Sequence, residues 1–348
     1  MRDIIVKNII NDFNQDTHKY NVYIVANTQN IKKETKKWNY KHSSMDEFFS
    51  REEFAEIASA IFSVFGYVKV FYSEIEFINY VLNNTIEKSN TIVYNFSRDG
   101  IKEGKKSLIP TFCDLFGLKY TGSNGFIISL LRNKFIYSSF LNNFNIPTPK
   151  TYCYSKTKGF LSKKPDCENI IVKNINESAS IGMSEQNIIS IINNDKWEDV
   201  LKEVSNNLSD EKVMIQEYIP GIECEVLVLK IQSQYKALDP VLIKIENSSI
   251  ITSEISNTYD YEFDLLQNSI SKQICDDICK CAEKAAELLG IDTYARFDFR
   301  INQNGQFFLI DIAGTPYTIK HSSISYLFNY YNLSYKDIYK VIVQLSKH

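Results

Sequence analysis

The sequence predicts a mixed α/β protein that opens with an N-terminal parallel sheet, and three observations carry that prediction. Strand-like and helix-like periodicities alternate through the first third of the chain. In the middle, two short apolar runs are separated by a small-residue loop and a helical segment. Near the C-terminus, Tyr294–Arg300 and Phe307–Ile312 alternate apolar and polar residues on either side of Asn302-Gln-Asn-Gly305, and Asn-Gly is the strongest short hairpin signal.

The elements follow in order. Tyr20–Ala26 reads as a buried strand. Ser50-x-x-Glu53 is a capping box opening a helix whose Phe54, Ile57, Ala58, Ile61 and Phe65 form one apolar stripe, and Gly66 suits its end. Tyr67–Tyr72 is a strand, Ser73-x-x-Glu76 a second capping box, and Thr91–Phe96 another strand. Ser123–Asn145 is helical with a polar interruption at Arg132-Asn133-Lys134, and Ile146-Pro-Thr-Pro149 forces extended chain. Ile170–Lys173, Val213–Ile219 and Glu225–Lys230 read as strands, with helices over Trp197–Leu208 and Lys272–Leu289. Lys32–Lys37 reads as a solvated loop.

A two-residue turn at Asn304-Gly305 makes Gln303 face Gln306. Counting back then sets Asp298 opposite Asp311, with Cβ atoms roughly 5 Å apart. Like charges so placed repel, so a cation is expected between them; the plainer alternative is two acids on a solvated face.

The composition excludes several classes. The chain has 348 residues, enough for two or three domains, with 44% hydrophobic and 23% charged residues, as in ordinary globular proteins. A net charge of −3 gives no reason to expect a nucleic-acid partner. No apolar run approaches the ~18 residues of a membrane span. The N-terminus lacks the apolar core of a signal peptide, so a cytoplasmic location is expected. Seven scattered cysteines do not form a disulfide framework. Cys275, Cys279 and Cys281 fall in the Lys272–Leu289 helix, where a buried face is expected rather than a metal site. His18, His42, His321 and His348 show no ligand spacing.

Six segments in order then resemble the ATP-grasp superfamily, most closely its D-alanine–D-alanine ligase-like branch. They are Leu118–Ser123, Asn145–Pro149, Ile171–Gly182, Gln216–Glu223, Arg296-Phe-Asp298, and Asp311–Pro316 with His321-Ser322. The resemblance runs from about residue 115 to 325. It implies a three-domain ATP-grasp fold divided at 1–122, 123–214 and 215–348, the last two domains sandwiching ATP.

By the same resemblance, Lys134 and Lys173 reach nucleotide phosphates, and the loop 174–182, with Glu177, Ser178 and Ser180, forms a flap over them. Gln216, Glu217, Tyr218 and Ile219 hold adenine, and Glu223 accepts from the ribose. Asp298 and Asp311 are the magnesium carboxylates, with manganese as an alternative ion. Arg296 steadies charge on the transferred phosphoryl group. Ser180, Tyr317 and Ser322 complete the catalytic set, with Tyr317 at an oxyanion-hole amide and Ser322 at the acceptor-carboxylate site.

The implied activity is ATP-dependent ligation of a small carboxylate to a small amine, such as amino acids or peptides, through an acyl phosphate. A homodimer joined through the N-terminal domain is also implied. Some positions depart from the family pattern. Ser178 and Tyr317 replace glycines, Ala313 replaces an asparagine metal ligand, Ser256 stands where an omega-loop lysine is expected, and Ser323 replaces an aliphatic residue. Residues 26–50 lack the glycine-rich signature with its glutamate that holds the first D-alanine. The missing signature favours a ligase of a specialised pathway, whereas Ala313, Ser256 and Tyr317 favour a loss of catalysis. A housekeeping D-alanine–D-alanine ligase and a nucleotide-binding homologue without catalysis are the alternatives.

Overall fold

The structure is a computed structural model and describes residues 2–16, 20–29, 47–192 and 194–347. The Lys32–Lys37 segment, much of the 26–50 stretch, and His18, His42 and His348 lie outside the described residues.

The chain opens with helix α1 (Arg2–Gln15), which no periodicity argument anticipated. Strand β1 (Asn21–Ala26), helix α2 (Arg51–Phe62), strand β2 (Tyr67–Phe71), helix α3 (Glu74–Asn83) and strand β3 (Thr91–Phe96) realise the expected alternation. With helix α4 (Leu108–Phe116) and strand β4 (Lys119–Tyr120) they build a parallel sheet in the order β2-β1-β3-β4. The capping box at Ser50 is complete, since Glu53 N donates to Ser50 Oγ and Ser50 N to the Glu53 carboxylate. At Ser73 only half of the expected box forms. Glu76 N donates to Ser73 Oγ, but the Glu76 carboxylate accepts from Tyr72 N, one residue earlier. The buried stripe of α2 includes Ala60 where Ala58 was expected.

Helices α5 (Gly125–Leu131) and α6 (Lys134–Asn142) are separated at the predicted polar interruption, where the Asn133 side chain accepts from Ile136 N and caps α6. Strands β5 (Thr151–Ser155), β6 (Gly159–Phe160), β7 (Asn169–Asn174), β8 (Ile188–Ser190) and β9 (Lys212–Glu217) form an antiparallel sheet in the order β6-β5-β9-β7-β8. Helix α7 (Trp197–Asn207) closes its apolar face through Leu201 and Val204.

Strands β10 (Ile222–Ile231), β11 (Gln234–Ala237), β12 (Val241–Lys244), β13 (Glu262–Leu265), β14 (Tyr294–Ile301) and β15 (Phe307–Ala313) make the third sheet, ordered β13-β12-β10-β14-β15 with β11 on β10. Short helix α8 (Ser253–Thr258) lies in the loop before β13, and α9 (Lys272–Leu289) has the bounds read from the sequence. Cys275 and Cys279 are buried with Ile278 and Ala282. Helices α10 (Ser323–Tyr330) and α11 (Asp337–Leu345) complete the chain. Val6, Ile9 and Ile10 of α1 share a core with Leu227 and Leu229 of β10 and with Val341 and Ile342 of α11, so the two ends of the sequence are packed together. Among the described residues, no helix is long and apolar enough to cross a membrane.

The β14–β15 hairpin pairs Asp298 with Asp311 as counted, although its turn is not the one expected. Asn302 N donates to Gln306 O at 2.9 Å, leaving a three-residue tip, 303–305, with Gly305 at φ +77°. A bulge beyond the Phe299–Leu309 pair takes up Ile310 and restores the register at Asp298. The longer tip and the bulge each shift the pairing by one residue, and the shifts cancel.

Candidate active site

Every site residue expected from the sequence lines one cavity of about 700 Å³ between the second and third sheets. Its floor is the upper face of β10, β14 and β15. Cross-strand pairing sets Glu225 opposite Asp298, and Asp298 opposite Asp311, so three carboxylates stand in a row across the sheet. Such a row is destabilising unless cations intervene. Here the protein supplies them. Arg296 donates from Nε and Nη2 to the two Asp298 oxygens at 2.8 Å each, and from Nη1 to Glu225 Oε1 at 3.0 Å. Lys134 contacts Asp311 Oδ2, and the Tyr137 hydroxyl donates to Asp311 Oδ1 at 2.7 Å. Arg296 therefore pairs with both Asp298 and Glu225.

These contacts set the charges. Burial pushes the Asp298 carboxyl up, against the pull of Arg296. Burial also raises Glu225, to about 7, with Arg296 opposing. Asp311 goes the other way, because Lys134 and Tyr137 outweigh its burial and hold it at about 2. Two opposed carboxylates with only oxygen donors fit a hard divalent cation that also takes phosphate oxygens and water.

The nucleotide-side residues cluster at the junction of β7, β9 and β10. Lys173 donates to Gln216 Oε1 at 3.0 Å. Burial, helped by the nearby Lys134 charge, lowers the Lys173 ammonium to about 8. Burial pushes Glu223 up while Arg300, 3.5 Å away, draws it down. Arg300 also donates to Gly221 O and Ser249 O and lies 5.2 Å from the Tyr218 ring. Gly221 is required at this bend, since a Cβ there would lie 2.0 Å from Ile301 O. The backbone N–H groups of Glu217 and Tyr218 bond Lys150 O and Asn169 O, and the Glu217 carboxylate accepts from Lys150 N. Ile219 is buried beneath them.

The flap, 174–182, is fastened down. Ala179 and Ser180 have φ near +54°, a strained conformation for residues other than glycine. Arg132 Nη1 donates to Ser178 Oγ at 2.6 Å, and Ser253 of α8 donates to Ser180 O at 2.5 Å. Glu177 turns to Lys105 at 3.0 Å and Arg132 at 3.5 Å. Lys105, Lys106 and Arg132 all converge on Glu47, which is fully buried. Burial alone would raise Glu47; Lys106, Arg132 and Lys105 override it and hold the carboxyl well below the usual range.

The family described as "D-ala D-ala ligase C-terminus" matches residues 165–344, just over half of the chain. The chain belongs to this D-alanine–D-alanine ligase family. A D-alanine–D-alanine ligase of Wolbachia pipientis subsp. Culex pipiens is 28% identical over 70% of this chain and 74% of its own length. The fold is shared with solved D-alanine–D-alanine ligases. That of Bacillus anthracis, complexed with ATP, has a TM-score of 0.66 at 14% identity, covering 94% of this chain and 97% of that one. That of Coxiella burnetii has a TM-score of 0.67 at 14% identity, covering 95% and 94%.

Several of the expected side chains are engaged with other groups of the protein. The Ser322 hydroxyl donates to Ile319 O and accepts from Ser325 N, so it caps α10. Tyr317 donates to Glu47 O at 2.9 Å, and its ring packs edge-on against Phe49 and 4.0 Å from the Arg98 guanidinium; it acts as a strut between segments. Glu177 is part of the Glu47 cluster, and Ser178 is held by Arg132. Ala313 pairs with Arg296 across the hairpin and offers no ligand atom. Sequence reasoning missed Glu225, Arg300, Tyr137, Arg132 and Glu47. Glu225 and Arg300 were within reach, for they stand two residues beyond Glu223 and Asp298 and so share their strand faces.

Proposed function

We propose that this protein is an ATP-dependent carboxylate–amine ligase that forms an amide or peptide bond through an acyl phosphate. The observation that supports this best is the convergence of Lys134, Lys173 and Arg296 on the opposed Asp298–Asp311 pair in one cavity. ATP lies between the 123–214 and 215–348 units, with Asp298 and Asp311 the residues that would hold magnesium. That ion would neutralise phosphate charge when bound.

The chain's own groups do the rest. Lys134 and Lys173 point ammonium groups at the phosphate region, and Arg296 places a fixed cation where charge develops on the transferred phosphoryl group. The flap excludes water from an intermediate that hydrolyses readily. The donor carboxylate oxygen attacks the γ-phosphorus, the bond to the bridging oxygen breaks, and ADP leaves. The amine lone pair then forms the C–N bond, the C–O bond to phosphate breaks, and phosphate departs with the N–H proton.

Phosphate release from Mg-ATP across a matrix of D- and L-amino acids, with hydroxylamine trapping the acyl phosphate as a hydroxamate, tests this reading. A hydroxamate with at least one donor is expected, and none with any donor would remove the ligase reading. Product with D-alanine alone as both substrates would identify a housekeeping D-alanine–D-alanine ligase; a requirement for another pair would identify a specialised one.

Nucleotide affinity should also depend on pH. The Lys173 ammonium is intact below about 8. Affinity should hold near neutrality and fall as pH rises above that value, because the charge facing phosphate is lost. Lys173→Met should weaken binding by about ten- to a hundredfold and remove this limb. Calorimetric titration with a non-hydrolysable ATP analogue at pH 7 and 9 checks both.

A further inference from the structure

Glu225 is not used by the phosphoryl-transfer chemistry, yet it stands in the cavity wall at the end of the carboxylate row. It is 7% exposed. Its Oε1 accepts from Arg296, while its Oε2 is buried without a well-formed hydrogen bond, the Ser323 side chain being the protein group that draws the carboxyl down beside Arg296. Leaving a carboxylate oxygen buried and unpaired is costly unless a ligand completes it. The same contact changes what Arg296 can do. One N–H on each of its nitrogens is committed, two to Asp298 and one to Glu225, and the second N–H groups of Nη1 and Nη2 stay available for the transferred phosphoryl group. A substrate carboxylate reaching this wall would find the Glu225 anion in the seat beside Arg296.

The surroundings suit a cation. Tyr261 neighbours Glu225 electrostatically, and its ring lies 5.0 Å from that of His321 and packs at 90° on Phe263. Tyr259 also lies 5.0 Å from His321 and 6.4 Å from Tyr261. All of these line the cavity with Glu225. A carboxylate with one oxygen short of partners beside a wall of aromatic rings is the arrangement that binds ammonium groups, by charge and through the ring faces.

We propose that Glu225 and the Tyr259–Tyr261–Phe263 wall form the acceptor end of the cavity and seat a cationic group, so that the amine joined by this enzyme carries a second positive centre and presents no carboxylate there. The acceptor class is then a short diamine or a molecule with a diamine-like end. One nitrogen attacks the acyl phosphate while the other, as ammonium, sits on Glu225 Oε2. This rests on the ligase reading above, which the hydroxamate assay tests without an acceptor.

The test uses three acceptors of one length: 1,4-diaminobutane, 4-aminobutyrate and 1-aminobutane. Each is supplied with Mg-ATP and a donor that gives a hydroxamate, and amide product is measured by mass spectrometry. The diamine should be used at least about tenfold more efficiently than 4-aminobutyrate, because like charge at a desolvated contact is strongly disfavoured. In Glu225→Gln the preference should shrink toward parity, chiefly through KM. Hydroxamate formation together with equal or better use of 4-aminobutyrate by the wild-type protein would overturn the proposal. The wild-type comparison decides this even if the variant does not fold. Absence of hydroxamate with every donor would instead remove the ligase reading, and the acceptor seat with it.

Discussion

Asp311→Asn is expected to lower ATP-dependent phosphate release by about a hundred- to a thousandfold, the usual cost of removing one electrostatic element from a preorganised site. Asp311 is the clearest target because it is the carboxylate of the row most firmly held ionised, at about 2, by Lys134 and Tyr137. Asparagine keeps the shape and the acceptor for the Tyr137 hydroxyl but removes the charge that orients Lys134 and that would help bind magnesium. Lys134 would then stand near Lys173 with no anion between them, and the two ammonium groups would repel. The effect should fall on kcat and on the magnesium requirement together. Steady-state phosphate release at several magnesium concentrations measures it, with thermal unfolding to show that the variant is folded. Unchanged kcat in a folded Asp311→Asn protein would remove Asp311 from the catalytic set.

Glu47→Gln is expected to be the most destabilising single change among those considered, by about 3–5 kcal/mol, the range for breaking a buried ion pair by removing one partner. Glu47 is fully buried, and its removal leaves Lys105, Lys106 and Arg132 close together with only the partly exposed Glu177 opposite. The cluster also gives the stability a pH signature. Glu47 is held well below its ordinary value of 4.5, so its contribution is fully present above that value and is lost as pH falls toward the folded one. Denaturant unfolding at pH 7 and pH 4 should show wild type losing stability in acid, and Glu47→Gln losing less because it has less to lose. Equal stability of the two proteins at pH 7 would show that the cluster contributes nothing net.

Much of this site could be read from the sequence because its parts lie on regular elements. The period-two patterns of β14 and β15 put Asp298 and Asp311 on one face, and the apolar stripe of α9 fixed that helix to the residue. The parallel order of β1, β2 and β3 followed from their alternation with α2 and α3. What escaped depends on contacts far apart in the chain. Helix α1 carries Asn8, Asn11, Asp12 and Asn14, weak helix formers, and is stabilised by packing on α11 more than three hundred residues later. Glu225 looked like an ordinary strand residue until β10 paired with β14 and set it beside Asp298. The Glu47 cluster joins four separate segments, and no local pattern announces an ion pair of that kind. Ser322 and Tyr317 were read from position alone, and the hydrogen bonds that occupy their hydroxyls come from neighbours that position does not reveal.

The hairpin has one further consequence. The residues 299–310 between the two carboxylates number twelve. In an antiparallel pair the strand residues between opposed positions come in twos, so tip and bulge residues must together make an even number. Two at the tip with no bulge, or three with one, are equivalent to the carboxylates. A residue gained at the tip together with another in the ladder leaves the two acids opposed. What the opposition of the two acids requires is parity, and it fixes neither the turn nor the bulge by itself.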